Sequence, residues 1–294
     1  ANFLGAVVFR EPGRTARAER AIYDDTSAVL RLRTGTPNIH DEVDGSKLQA
    51  QRINIATETR GITAVGGVRH EVRRGGAASE GGMLAGSEPA VLVAGRFQYD
   101  SETRKASYRE NALLRSGRDE IRAPLIVLED PAPGQRRLHA QDGVVSFLQP
   151  RPGEAGAEDP APVEARSPEM VSEAEAGQVP YTGAVDIRQG DSVTLSPKAV
   201  VTLDPEGRDV ERIVAGEPVT VHQGVRTASG QTGTYTPRTE TMVLEGDDVV
   251  LQDVDRKVRG RILTFQVGDD RIRVDGREEA RTEAIFKKRE SPRP

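Results

Sequence analysis

One spacing recurs along this chain, and few folds accommodate it. An apolar or small residue is followed two positions later by a small one, then by apolar or small residues three and five positions further on. In the first half it reads Ala16, Ala18, Ala21, Tyr23, then Leu48, Ala50, Ile53, Ile55. Leu92, Ala94, Phe97, Tyr99 and Ile121, Ala123, Ile126, Leu128 follow. It returns as Thr194, Ser196, Ala199, Val201, as Ala228, Gly230, Gly233, Tyr235, and as Val258, Gly260, Leu263, Phe265. Where nothing is inserted, the small residues lie 29 to 34 positions apart across the seven copies. A fixed period of this length marks a repeat architecture.

Each copy runs into a turn, such as Asp24-Asp25-Thr26, Asp100-Ser101-Glu102-Thr103 or Pro237-Arg238-Thr239. These residue types favour turns for backbone reasons. An alternating strand then ends at Gly or Asn: Ile62-x-Ala64-x-Gly66, Met242-x-Leu244-x-Gly246, and Ala106-x-Tyr108 before Asn111. Another alternating strand, Val219-x-Val221 or Val249-x-Leu251, follows directly. Alternation between turn signals every 8–12 residues indicates antiparallel sheet with one buried face. The step of three inside the repeat would flip the strand's faces unless the strand bulges or turns a corner there. A small residue precedes every such step, as a sharp bend requires. The expectation is an all-β fold of stacked repeats, with strands bending from one sheet into a second and apolar positions facing each other inside.

On the apolar phase stand Ile53, Ile55, Phe97, Tyr99, Ile126, Leu128, Val185, Ile187, Val219, Val221, Leu244, Leu251, Leu263 and Phe265. The alternate positions carry Asp186, Arg188, Thr220, His222, Glu245, Thr264 and Gln266. Two segments break the rhythm. Residues 73–88 read as a Gly-rich insertion, and 149–179, rich in Pro, Ala, Glu and Gly, as a linker or large mobile loop. The organisation expected is a β-repeat segment over 1–148, that linker, a second β-repeat segment over 180–280, and a polar tail over 281–294.

The apolar fraction is 36%, the charged fraction 30% and the aromatic fraction 4%, with no tryptophan. A composition this lean suits a thin-walled or elongated body better than a compact sphere. A net charge of −5 with interspersed signs gives no stripe that would track a nucleic acid. The one basic run, Lys287-Lys288-Arg289, falls in the polar tail. Cysteine is absent, and no apolar run approaches the ~18 residues of a membrane helix. The chain opens at Ala1 directly into strand-like sequence, which fits either a removed signal peptide or anchor, or a fragment.

Little in the chain carries reaction chemistry. His40, His70, His139 and His222 stand in different repeats without metal-ligand spacing, and no nucleophile, phosphate-loop or zinc motif is present. Asp41-Glu42-Val43-Asp44-Gly45 lacks the further ligands of a calcium loop and reads as a hairpin turn. The doublets Asp24-Asp25, Asp247-Asp248 and Asp269-Asp270 read the same way. No catalysis, metal or cofactor is expected.

The C-terminal half resembles a known family. Tyr181-Thr182-Gly183-Ala184-Val185-Asp186-Ile187-Arg188-Gln189-Gly190 resembles the aromatic-Thr-Gly-Asn-Val-x-Val-x-Gln-Gly stretch of the LptA/OstA family, with Ala184 where Asn is usual. Tyr235-Thr236-Pro237 through Val243-Leu244-Glu245-Gly246-Asp247 resembles its Tyr, turn, Val-Leu-x-Gly-Asn element. Val258-Arg259-Gly260-Arg261-Ile262-Leu263-Thr264-Phe265 resembles its Ile-x-Gly-x-x-Ile-Thr-Tyr strand. The N-terminal half matches more loosely, clearest at Arg20-Ala21-Ile22-Tyr23-Asp24 and Arg96–Thr103, and is similar to an LptA, LptC or periplasmic LptD module.

The resemblance implies an open V-shaped half jelly roll in the periplasm, stacked head to tail. Lipopolysaccharide would pass from inner to outer membrane with the acyl chains of its lipid A in the apolar interior, lined by the apolar-phase residues named above. Expected partners are lipopolysaccharide, other Lpt-type jelly rolls end to end (the inner-membrane transporter complex and the outer-membrane translocon), and further copies of the chain. The competing expectation is a solid-cored structural repeat protein that polymerises through its sheet edges.

Overall fold

A computed structural model describes residues 1–73, 89–130, 136–149, 161–173, 177–204, 210–254, 256–266, 272–275 and 283–286. The fold is all-β: among the described residues, one 3-10 turn, Pro237–Thr239, is the only helical element. The strands are β1 (Asn2–Glu11), β2 (Arg14–Asp24), β3 (Val29–Arg33), β4 (Asn38–Asp41), β5 (Lys47–Gln49), β6 (Arg52–Ala56), β7 (Ile62–Val72), β8 (Ala90–Asp100), β9 (Lys105–Ser116), β10 (Asp119–Glu129) and β11 (Arg137–Leu148). They continue as β12 (Val163–Glu173), β13 (Gln178–Gln189), β14 (Ser192–Leu203), β15 (Val210–Ala215), β16 (Val219–Gln223), β17 (Arg226–Gly230), β18 (Thr232–Thr236), β19 (Thr241–Gln252), β20 (Arg256–Gln266), β21 (Ile272–Asp275) and β22 (Glu283–Phe286). The described residues form two compact units, those of 1–146 and 169–177 the first, and those of 147–168, 178–204 and 209–294 the second.

In the first unit the long strands each serve two sheets. The N-terminal half of β2 pairs with β4, β4 with β5, and β5 with the C-terminal half of β7. The C-terminal half of β2 pairs instead with β3, β3 with β6, and β6 with the N-terminal half of β7. β8, β9 and β10 run through both arrangements, all antiparallel. The core lies between the two sheets, where Leu32, Ile53, Ile55, Leu92, Ile121 and Ile126 are fully buried.

The corner between sheets has a consistent local cause. Pairing shifts register between Leu4 and Val7, Val65 and Val68, Val93 and Arg96, and Ala123 and Leu125. In β7 the extra residue is absorbed at Gly66 and Gly67, both at positive φ, where a Cβ would strain the backbone. In β9, Glu110 and Asn111 do the same work at φ of 66° and 61°. The small repeat residues are the last paired positions beside the shift, as in Val7↔Ala18, Val68↔Ala94 and Ala123↔Ala112. This corrects one expectation. Gly66, Asn111 and Gly246 do not end strands; each marks a bulge inside a continuous one, β7, β9 or β19. Two copies of the repeat are divided at the corner instead, Leu48–Ile55 into β5 and β6, and Ala228–Tyr235 into β17 and β18.

The second unit repeats the scheme. The N-terminal half of β14 pairs with β16, β16 with β17, and β17 with the C-terminal half of β19. The C-terminal half of β14 pairs with β15, β15 with β18, and β18 with the N-terminal half of β19. β20 continues both sheets, meeting β22 at one end and β21 at the other.

Two boundary expectations are corrected here. The segment 149–179 contains the strand β12, whose Val163, Ala165 and Met170 are fully buried, and Val179 begins to bury in β13. Residues 150–160 of that segment lie outside the described residues, as do 74–88 of the Gly-rich insertion. The polar tail 281–294 contains the strand β22 paired to Arg256–Arg259, while Lys287-Lys288-Arg289 lies outside the described residues.

The β19 corner is pinned by its backbone. Gln231 N–H donates to Glu245 O at 2.9 Å, and a Cβ on Gly246 would stand 2.9 Å from the Gln231 nitrogen. Backbone cannot rotate away as a flexible side chain would, so Gly246→Val is expected to destabilise the second unit by about 2–3 kcal/mol. A urea unfolding midpoint equal to that of the parent chain would refute this close approach.

Candidate functional site: clefts between the sheets

The largest of the three clefts formed by the described residues lies in the first unit, a cavity of about 570 Å³ between its two sheets. That is within the range of small-molecule sites, roughly 300–1,000 Å³. One wall is built from Ile39 of β4, Leu48 of β5, and His70 and Val72 of β7. The other comes from Ile62, Phe97, Tyr99, Ala106, Tyr108 and Leu128. The walls are apolar because both sheets turn their alternating faces inward.

The rim is charged because the strands end there. Arg14, Asp41, Asp44, Arg60, Arg104, Asp130 and Arg136 all line it. Arg60 Nη2 donates to Pro12 O at 3.1 Å, so the turn after β6 in one sheet meets the β1–β2 hairpin of the other. Arg14 Nε lies 2.9 Å from Glu11 Oε1. Arg136 grips Asp130 through two hydrogen bonds of 2.7 and 3.1 Å. Burial pulls the Arg136 pKa down, but the hydrogen bonds and charge of Asp130 outweigh it and hold the guanidinium above its ordinary value. Asp41 and Asp44 serve as turn caps, accepting from the Val43 and Ser46 amides at 2.9 and 2.8 Å.

Beneath the rim, His70 Nδ1 sits 2.6 Å from the Tyr108 hydroxyl, with Phe97 edge-on to the imidazole at a centroid separation of 5.4 Å. Burial, helped by the charge of Arg136, pushes the His70 pKa down to about 4, so the ring is neutral at pH 7. Burial likewise raises that of Tyr108.

The second unit holds narrower clefts. One, of about 20 Å³, is lined by Val163, Ile187, Gln189, Ser192, Thr194, Ile213, Ala215, Gly233, Tyr235 and Met242. No charged side chain is among them. Tyr235 Oη and Gln189 Oε1 are buried there without a hydrogen-bond partner among the described residues. Burial, reinforced by the charge of Glu240, raises the Tyr235 pKa, so the phenol keeps its proton. Another cleft lies among Val221, Gln223, Arg226, Ala228, Leu251 and Phe265.

The residues expected to face between the sheets divide into two groups. Phe97, Tyr99 and Leu128 line the first-unit cavity, Ile187 the narrow cleft, and Val221, Leu251 and Phe265 the last one. Ile53, Ile55, Ile126, Val185, Val219, Leu244 and Leu263 line none of these three spaces and are at most 2% exposed. They pack the seam. Of the alternate positions, Arg188, His222, Glu245 and Gln266 are exposed.

Sequence reasoning missed the charged rim, whose members stand at strand ends and in connections far apart in the chain. It also missed Gln189, although a signal existed. Val185, Ile187 and Gln189 share one strand phase, so a polar residue on an inward face was legible there.

Residues 163–271 match the family model described as LptA/(LptD N-terminal domain) LPS transport protein. Among solved structures, the chain is similar to LptH, the LptA homologous periplasmic component of the conserved lipopolysaccharide transport device from Pseudomonas aeruginosa. The identity is 15%, the alignment covers 44% of this chain and 82% of LptH, and the TM-score is 0.36. No curated protein matches the chain.

Proposed function

We propose, from the match of residues 163–271 to the LptA/(LptD N-terminal domain) family model, that this chain is a periplasmic component of lipopolysaccharide transport that shelters lipid acyl chains between its sheets. The family match carries the reading. The apolar-walled cavity of the first unit and the clefts of the second support it, since they lie where a bent, two-sheet repeat leaves space. The role is transport, with no bond made or broken by the protein.

The physical task is clear. Burying one methylene stabilises by roughly 0.8 kcal/mol, so a 12-carbon chain gains on the order of 9 kcal/mol from shelter. A trough of near-equivalent apolar positions lets such a chain advance without re-entering water, while net direction comes from an energised inner-membrane partner. A photo-crosslinking residue at Phe97, Ile187 or Phe265, in protein from a Gram-negative host, is expected to capture lipopolysaccharide. One at Arg188 or Gln266 is not. Equal capture at both sets, or at neither, would sink the transport reading.

Assembly through sheet edges belongs to the same proposal. Among the described residues β1 pairs only with β2, and Phe3, Leu4 and Val8 on it are 48%, 76% and 45% exposed. An edge of unpaired N–H and C=O groups flanked by apolar side chains invites another strand, from a further copy or another Lpt-type jelly roll. The same edge is what favours the structural-polymer reading, and the crosslinking result decides between the two.

A further inference from the structure

Resting on that lipid-carrying reading, we propose that the narrow cleft of the second unit is a subsite for a hydroxyl group carried on an otherwise apolar acyl chain, held between Tyr235 and Gln189. The two side chains come from opposite walls. Gln189 ends β13, whose C-terminal half pairs with the part of β14 that continues into β16. Tyr235 lies on β18, in the sheet of β15 and the N-terminal half of β19.

Both residues are more than nine-tenths buried, at 8% and 7% exposure; both line the cleft, and each holds a buried polar atom without a hydrogen-bond partner among the described residues. Leaving such atoms unpaired is costly, and native proteins seldom tolerate two in one place.

Their chemistry defines the missing partner. Gln189 Nε2 donates to Ala161 O at 2.9 Å, which fixes the amide so that Oε1, an acceptor only, is the atom left without a partner. The Tyr235 phenol retains its proton and donates. One alcohol satisfies both, accepting from Tyr235 and donating to Gln189 Oε1. A carboxylate or phosphate does not fit, because it has no proton for Gln189 and no cation lines the cleft to offset its desolvation. Ile187, Ile213 and Met242 beside the polar pair suit the methylenes on either side of such a hydroxyl.

About 20 Å³ admits one hydroxyl-sized group, with the rest of the chain lying along the half-open mouth. The rival occupant is a single structural water, which needs roughly 10–15 Å³.

The test compares tetradecanoic acid with 3-hydroxytetradecanoic acid on the full chain, by calorimetric titration. The parent protein is expected to bind the hydroxylated chain about tenfold more tightly. Tyr235→Phe and Gln189→Leu should each reduce that preference to within about twofold. Tyr235→Phe should also melt no lower than the parent, since it removes an unpaired hydroxyl. Equal affinity of the parent for both chains, or a preference that survives both substitutions, overturns the proposal. A lower melting temperature in Tyr235→Phe without any preference in the parent identifies a structural water and overturns it too. If neither chain binds the parent at all, the lipid-carrying reading itself falls.

Discussion

Ile53→Asp is expected to abolish folding of the first unit at neutral pH, whereas Tyr99→Arg should leave that unit folded. Ile53 is 0% exposed and packs at the seam between β6 and the strands around it, with no space of its own. A carboxylate there loses its water and gains no partner, and the lost isoleucine packing adds to the penalty. A combined cost above about 5 kcal/mol would consume most of the stability of an ordinary domain. Tyr99 stands on the same apolar phase of the repeat but lines the 570 Å³ cavity, which has room for water to solvate a cation. Its replacement should cost no more than about 2 kcal/mol, while impeding any acyl chain that enters. Guanidinium unfolding followed by circular dichroism measures both. A cooperative transition for Ile53→Asp near the parent midpoint would show that the seam is hydrated, and loss of the transition in Tyr99→Arg would show that no open space exists beside it.

That contrast marks how far the sequence was legible. The step of three inside each repeat is a local signal, because only a bulge lets an odd step keep both ends facing inward. It therefore anticipated strands that serve two sheets, as Leu92, Ala94 and Phe97 show by all being buried on β8. Which inward residue meets a partner and which meets a cavity depends on the distance between sheets, and no local pattern encodes that distance. Ile53 and Tyr99 look equivalent in the chain for this reason.

The strand β12 was misread from composition because its inward positions are small: Ala165, Ser167 and Ser172 are 0%, 5% and 4% exposed, yet contribute little hydropathy. Alternation was present there, with Glu164 and Arg166 on the other phase, but the prolines and glutamates masked it. The charged rim was invisible for a further reason. Arg14, Arg60 and Arg136 stand far apart in the chain, and only the fold brings them to one rim.

The rim and the aromatic pair beneath it also set an acid response. His70 has a folded-state pKa of about 4, against an ordinary value near 6.5, because burial and the Arg136 charge disfavour the imidazolium. Asp41 pulls weakly the other way. Between these two values the unfolded chain takes up a proton that the folded protein refuses, so falling pH favours unfolding. Stability is fully present above about pH 6.5, declines as pH drops through the window, and levels off for this group below about pH 4. The shift corresponds to about 2–3 kcal/mol, discounted for the water the cavity admits beside the ring. Asp24 and Asp100, whose pKa values lie below the ordinary carboxylate range because of hydrogen bonds from Ser27 and Thr103 respectively, act lower down. Their contribution persists above the ordinary carboxylate value and is lost only as pH falls through their depressed folded values, which separates it from the His70 window. In His70→Phe the slope of stability against pH between 6.5 and 4.5 should flatten, whatever the substitution does to absolute stability through the lost Tyr108 hydrogen bond. Urea midpoints measured at half-unit pH intervals for both proteins give the answer directly. A slope in that window that is unchanged by the substitution would mean that the imidazole is hydrated and protonates freely, and that the cavity wall beneath the arginine rim is open rather than packed.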